Sequence, residues 1–333
     1  HISEEPSRIL GDRLASFRDV MIQDSTIIRL HKSLADKWPA TRSRKVAAGV
    51  KVAFLTSAIA NSPKSISILP ENTNDVKTLK IGPWVKDIIL LIDLGFYKYQ
   101  LFSRIVENGG SFVSRLKSNA NPLIVGTNQV RNTRGVDLNG KHLKDIKLEK
   151  SDDIFDVNVE VSFDRRSYRG ESKKDNKIFR LVAIYNTEAE EHHFYLTNIS
   201  SDILNASEVA AVYSGRWEVE LIFKELKSRY ALDQITTKSP YAIEALIWVS
   251  ILTLLVSRKL YSIVRKLNPG AKMVRFTQLR WSNIFVQNSS HLLSAILDYL
   301  GIEHDFSTVL NVCSSEALDP HVNRERFREG LWS

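Results

Sequence analysis

Val212-Tyr-Ser-Gly-Arg-Trp-Glu-Val-Glu-Leu-Ile-Phe-Lys-Glu-Leu-Lys227 decides how the rest of this chain is read. Within it Tyr213, Arg216, Glu220 and Lys227 stand at offsets 0, 3, 7 and 14. At about 3.6 residues per turn these four fall within about 60° of one another around a helix axis. One narrow face therefore carries a phenol, two cations and a carboxylate. Val212, Val219, Phe223 and Leu226 form a neighbouring apolar stripe that anchors the helix. A polar stripe is ordinarily a solvated face. A carboxylate flanked by Arg and Lys also suits a metal-bound phosphate.

Upstream, the chain alternates strands and helices. Residues 20–30 read as a β-branched strand with Asp24 in its middle, followed by strands at 50–58 and 65–69. Residues 74–86 read as a short helix interrupted at Pro83. Asp87–Gly95 is a strongly apolar strand with Asp93 near its end. A helix over 98–107 stops at Gly109-Gly110, and a strand follows at 111–116. From about 119 the pattern turns β-rich. Phe155, Val157, Val159, Val161 and Phe163 alternate with polar residues, and further strands fall at 178–185 and 193–197. Asn205 or Ser207 caps a single helix that carries the opening stretch to about Tyr230. A long apolar helix runs from Pro240 to about Leu267, and residues 271–333 read as short helices.

With 333 residues, 43% of them hydrophobic and 25% charged, the composition is that of a soluble globular protein. A net charge of +8 favours a polyanionic partner, nucleic acid first. Cys313 is the single cysteine, which excludes an intramolecular disulfide and fits a reducing compartment. The longest uncharged apolar run, Ala245 to Ser257, is shorter than the about 20 residues a bilayer requires and reads as a buried core helix.

Asp24, Asp93 and Glu220 gain meaning together. Paired carboxylates repel by about 4 kcal/mol at about 4 Å in an effective dielectric near 20, so a cluster of three needs counter-charge. Divalent cations with hard oxygen ligands supply it, which favours Mg²⁺ or Mn²⁺ over zinc.

The spacing Tyr-x2-Arg-x3-Glu-x6-Lys resembles the YREK signature of insertion-sequence DDE transposases of the insertion-sequence-four family. Gln23-Asp-Ser-Thr26 and Ile92-Asp-Leu-Gly-Phe96 are similar to that family's first and second catalytic Asp segments. Phe112–Lys117 and Leu196-Thr-Asn198 also look like family segments. The resemblance implies an α/β fold: an RNase-H-like mixed sheet flanked by helices, interrupted by a β-rich insertion, with a C-terminal helical region. It divides the chain into a first core part (1–118), the insertion (119–203), a second core part (204–267) and C-terminal helices (268–333).

The resemblance further implies that Asp24, Asp93 and Glu220 are catalytic and bind two Mg²⁺ ions, with Mn²⁺ able to substitute. Tyr213, Arg216 and Lys227 would contact DNA phosphates. The implied reaction is cleavage at transposon ends and transfer of the 3′-hydroxyl into target DNA. Double-stranded DNA would be the partner, bound by a homodimer in a prokaryotic cytoplasm at the nucleoid, with no membrane involved. A nuclease of the same fold without strand transfer and a non-catalytic DNA-binding remnant are the alternatives. One departure from the family is that only 23 residues precede Asp24, where a helical DNA-binding region is expected.

Lesser features are weighed against plain surface roles. The basic segment Arg165–Lys177 is read as a hairpin tip that either grips DNA or is solvated, and Arg42, Arg44 and Lys45 as a basic loop. His192 and His193, adjacent on a strand, would point to opposite faces and so not share a metal. Trp217 is read as packing beside the site, with base stacking the alternative. Glu218 and Glu225 are expected to be solvated.

Overall fold

In a computed structural model, residues 14–41, 47–60, 62–130, 137–149, 154–165, 174–268, 276–289, 291, 292 and 294 are described. Their strands form a nine-stranded sheet: β1 (Asp19–Leu30), β2 (Ala48–Ser57), β3 (Ser62–Pro70), β4 (Ile88–Ile92), β5 (Ser111–Arg115), β6 (Leu123–Val130), β7 (Ile154–Asp164), β8 (Lys174–Asn186) and β9 (Glu191–Thr197). The spatial order is β3-β2-β1-β4-β5-β9-β8-β7-β6. β1, β2 and β3 form an antiparallel meander, and β1 then pairs in parallel with β4, and β4 with β5. β6 to β9 are antiparallel and continue the same sheet, joining it where β9 meets β5.

β4, Ile-Ile-Leu-Leu-Ile, is buried at every position, as a central parallel strand covered on both faces must be. Period-two alternation sends Ile89 and Leu91 to one apolar layer and Ile88, Leu90 and Ile92 to the other. α1 (Tyr99–Glu107) covers the second layer through Leu101, Phe102 and Ile105. The first is covered by α2 (Ala206–Ser214), α3 (Trp217–Ser228), α4 (Pro240–Leu267) and α5 (Gln278–Gln287).

The junction of β5 and β9 is only three residue pairs long, Val113↔Thr197 to Arg115↔Tyr195. Side chains lengthen it. Thr197 Oγ1 donates to the Phe112 carbonyl at 2.6 Å. The Asn198 amide accepts from Phe112 N at 2.9 Å and donates to the Gly110 carbonyl at 3.1 Å.

Several sequence expectations need correction. The helix expected from Asn205 or Ser207 to about Tyr230 is two helices. Asn205 caps α2 in a capping box with Glu208. Gly215 and Arg216 then keep right-handed dihedrals but make i→i+3 bonds, Gly215 N to Val212 O and Arg216 N to Tyr213 O. This 3₁₀ joint turns faster than an α-helix and offsets α3 from α2. Residues 74–86 hold two 3₁₀ turns, Asp75–Thr78 and Pro83–Val85, and Pro83 begins the second instead of breaking a helix. β6 was missed because two register shifts, between Ile124 and Gly126 and between Thr127 and Gln129, erase its alternation.

The apolar run Ala245–Ser257 is not a fully buried helix. α4 buries Ile243, Ile247, Ile251 and Leu254 but exposes Trp248, Val249, Leu252 and Val256. Its 28 residues are long and apolar enough to cross a bilayer by length and composition alone. Arg42, Arg44, Lys45, residues 166–173 of the basic segment, Cys313 and most of 268–333 lie outside the described residues.

Candidate active site

Asp24 sits mid-β1, opposite Phe54 of β2. The parallel register pairs Gln23 with Ile92, so Asp24 and Asp93 stand beside each other as the next residues along their strands. Asp93 leaves the sheet and caps the 3₁₀ turn Leu94–Phe96, accepting from Gly95 N at 3.3 Å. Glu220 comes from the first turn of α3, and Arg216 from the joint before it.

These four side chains converge. One Arg216 guanidinium reaches all three carboxylates, at 2.6 Å to Glu220, 3.3 Å to Asp24 and 4.0 Å to Asp93. The carboxylates are therefore spaced about a guanidinium and do not meet at a point. Among the described residues no three His, Cys, Asp or Glu side chains close around a single ion. The donor set nonetheless fits a hard divalent cation: it is all oxygen, and three carboxylates share one formal positive charge.

Asp24 has a pKa raised from the ordinary 3.8 to about 6. Burial is the main cause. Asp93 and Glu220 push the same way, while the Ser25 amide and Arg216 oppose it. Arg216 is half-buried, which works against its charge, but the Glu220 hydrogen bond and the fields of Tyr213, Asp93 and Glu220 win and raise its pKa. Because the folded chain holds the Asp24 proton more tightly than the unfolded chain, the group favours folding below about pH 3.8, and that contribution disappears as pH rises through about 6. Wild type is therefore expected to lose about 1–3 kcal/mol relative to Asp24→Asn between about pH 4 and pH 6.5. Urea unfolding of both chains across that range checks this, and parallel pH profiles would refute it.

Tyr213 lies at the edge of the cluster. Its ring is 5.3 Å from Tyr195, and its hydroxyl donates to the Ile92 carbonyl at 3.5 Å. Burial first, then Asp93, raise its pKa to about 12, against the opposing charges of Arg216 and Arg115, so the phenol remains a donor at neutral pH. Lys227 is not in the cluster. It sits seven residues beyond Glu220 on α3, about 10 Å along the axis. Partly exposed, it has no hydrogen bond or ion pair among the described residues. Trp217 is half exposed, so it is not packed in as expected. Glu225, expected to be solvated, is buried and paired with Arg258.

Sequence reasoning also missed Asp75. Its carboxylate takes hydrogen bonds from Lys51 Nζ at 2.6 Å and Ser25 Oγ at 3.3 Å. It lies so near Gly95 that a Cβ there would stand 3.0 Å from Asp75 Oδ2. Asp75 thus packs against the turn that presents Asp93, and the glycine two residues after Asp93 is the trace of this close approach in the sequence. The two histidines do not form a metal site: His192 leans edge-on against Tyr185, and His193 pairs with Glu191 at 3.2 Å. Arg165 of the basic segment is bound to Glu107 and Asp175.

The sequence profile of the transposase DDE domain matches residues 15–256. The chain is 26% identical over 245 residues to the transposase for insertion sequence element IS1151 of Clostridium perfringens, covering 66% of this chain and 52% of that protein. It is 22% identical over 275 residues to the transposase for IS231D of Bacillus thuringiensis subsp. finitimus, covering 69% and 54%. A shorter stretch of 73 residues is 38% identical to the putative transposase InsL for IS186A of Escherichia coli K12, covering 22% and 20%. The chain thus spans about half the length of the first two relatives.

Proposed function

The chain belongs to the transposase DDE domain family, and from that premise we propose that it is the catalytic core of an insertion-sequence transposase of the insertion-sequence-four type. In this reading it cuts double-stranded DNA at transposon ends and transfers the 3′-hydroxyl into target DNA. The observation that carries the reading is the convergence of Asp24, Asp93 and Glu220, from two neighbouring strands and a helix, on Arg216. The order and direction of β1 to β5, a meander followed by two parallel strands, support the RNase-H-like assignment.

Asp24, Asp93 and Glu220 would hold two Mg²⁺ ions, or Mn²⁺ in their place. Bound there, the ions supply Lewis-acid activation of the attacking oxygen and stabilisation of the leaving one. The chain's own groups orient the phosphate. Arg216 offers a planar fork to phosphate oxygens, Tyr213 a neutral hydroxyl donor once it releases the Ile92 carbonyl, and Lys227 a point charge further along the strand. The same reading makes the working form a homodimer on paired ends, at the nucleoid of a prokaryotic cell and without a membrane.

Because Arg216 and a cation compete for the same carboxylates, Arg216→Ala is expected to bind Mn²⁺ several-fold more tightly by calorimetry while losing cleavage. Weaker Mn²⁺ binding in that variant would count against the competition. Lys227→Ala is expected to weaken DNA binding and to lower the slope of log affinity against log salt by about one. An unchanged slope would remove Lys227 from the phosphate contacts.

The function itself is tested on DNA carrying the ends of the element that encodes the chain, supplied both intact and pre-cut with a free 3′-hydroxyl. Mg²⁺-dependent joining of the pre-cut end to a target plasmid is expected. Cleavage without joining would leave a nuclease, and neither activity would overturn the proposal.

A further inference from the structure

Glu220 and Glu225 lie on the same helix, five residues and about 140° apart, so they face opposite ways. Glu220 faces the cluster. Glu225 faces α4 and is almost wholly buried. Its carboxylate accepts from Arg258 Nη2 at 2.7 Å and from the Tyr230 hydroxyl at 3.0 Å. Arg258 is itself buried. The surrounding helix is fixed too: Ser250 Oγ donates to the Tyr230 carbonyl at 2.8 Å, and Trp281 Nε1 donates to Ser257 at 2.9 Å.

The apolar anchors of α3, Val219, Ile222, Phe223 and Leu226, are buried but non-directional. They resist withdrawal of the helix more than its rotation. A side chain about 5–6 Å from the helix axis moves about 1 Å for every 10° of rotation. A misplacement of about 1 Å can lower a reaction rate by about a hundredfold. Among the described residues, the Glu225–Arg258 pair is a directional contact on the far side of α3. We infer that Arg258 is a positioning residue: through Glu225 it sets the rotation of α3 and so the place at which Glu220 stands. The inference rests on Glu220 serving as a metal ligand, as proposed for the site.

The test separates positioning from mere stability. The double variant Glu225→Leu/Arg258→Met replaces a buried ion pair by apolar side chains of similar bulk, a change that is often neutral or stabilising. Ser257 remains beside the Tyr230 hydroxyl. The double variant is expected to keep or raise Tm while its Mn²⁺ affinity by calorimetry falls about tenfold, the effect of losing an outer-shell support. Metal-free DNA affinity is expected to be unchanged. Arg258→Lys keeps the charge but loses the planar fork, and its Mn²⁺ affinity is expected to fall about threefold. A folded double variant with wild-type Mn²⁺ affinity overturns the inference. Should the double variant fail to fold, wild-type affinity in Arg258→Lys overturns it instead. The same titration on wild type and Glu220→Gln keeps the two readings apart: wild-type binding indifferent to Glu220 defeats the proposed site, and this inference with it.

Discussion

Glu220→Gln and Asp93→Asn are each expected to lower Mg²⁺-dependent cleavage by at least about a thousandfold with little change in Tm. The amides keep the shape of the side chains but remove the anionic oxygen proposed to bind the metal. Folding is spared because neither carboxylate is buried in the core: Asp93 is 41% exposed and Glu220 34%. Arg216 also retains two acidic partners in either variant. Single-turnover cleavage and thermal melts of the same preparations check this, and activity within tenfold of wild type would remove that residue from the site.

The largest stability effect is expected far from this chemistry. Arg180, on β8, makes a two-pronged ion pair with Asp156 at 2.6 and 2.9 Å, and both residues are buried. Its remaining donors reach the carbonyls of Ile199 at 3.1 Å and Leu204 at 2.7 Å. Arg180→Met leaves the buried Asp156 carboxylate with no counter-charge and only the Asn128 amide, at 3.0 Å, as a donor, and is expected to destabilise the chain by about 3–5 kcal/mol. Adding Asp156→Leu removes the stranded charge but still leaves two carbonyls without donors, so about 1–3 kcal/mol of the loss should persist. Urea midpoints of the single and double variants measure both. A single variant within about 1 kcal/mol of wild type would show that water reaches the pair.

That ion pair also marks where sequence reading stops. Alternation in β7 located the strand and its apolar face, but Asp156 reads as an outward-facing polar residue. Nothing local says that α2 covers that face. Glu225 was misread for the same reason, since its partner lies on another helix. Asp24, Asp93 and Glu220 were legible because each carries a local oddity: a carboxylate within or at the end of an apolar strand, or between two cations on a helix. That they share one guanidinium was not legible. It follows from the parallel register of β1 and β4 and from the 3₁₀ joint at Gly215, which are properties of pairing and not of composition. The amphipathic character of α4 was obscured because residues on both of its faces are apolar.

The three-pair junction between β5 and β9 bears on how the molecule carries load. The sheet is a single beam, and this is its narrowest section: four strands lie on one side and the strands that carry Asp24 and Asp93 on the other. Within the sheet itself, a pull on the outer strands crosses this seam to reach Asp93, one strand away. Thr197 and Asn198 act there as rivets. They tie the seam to Phe112 and Gly110 with bonds that the backbone ladder does not supply. The two halves of the sheet are thereby made stiff in shear at the place where they would otherwise part.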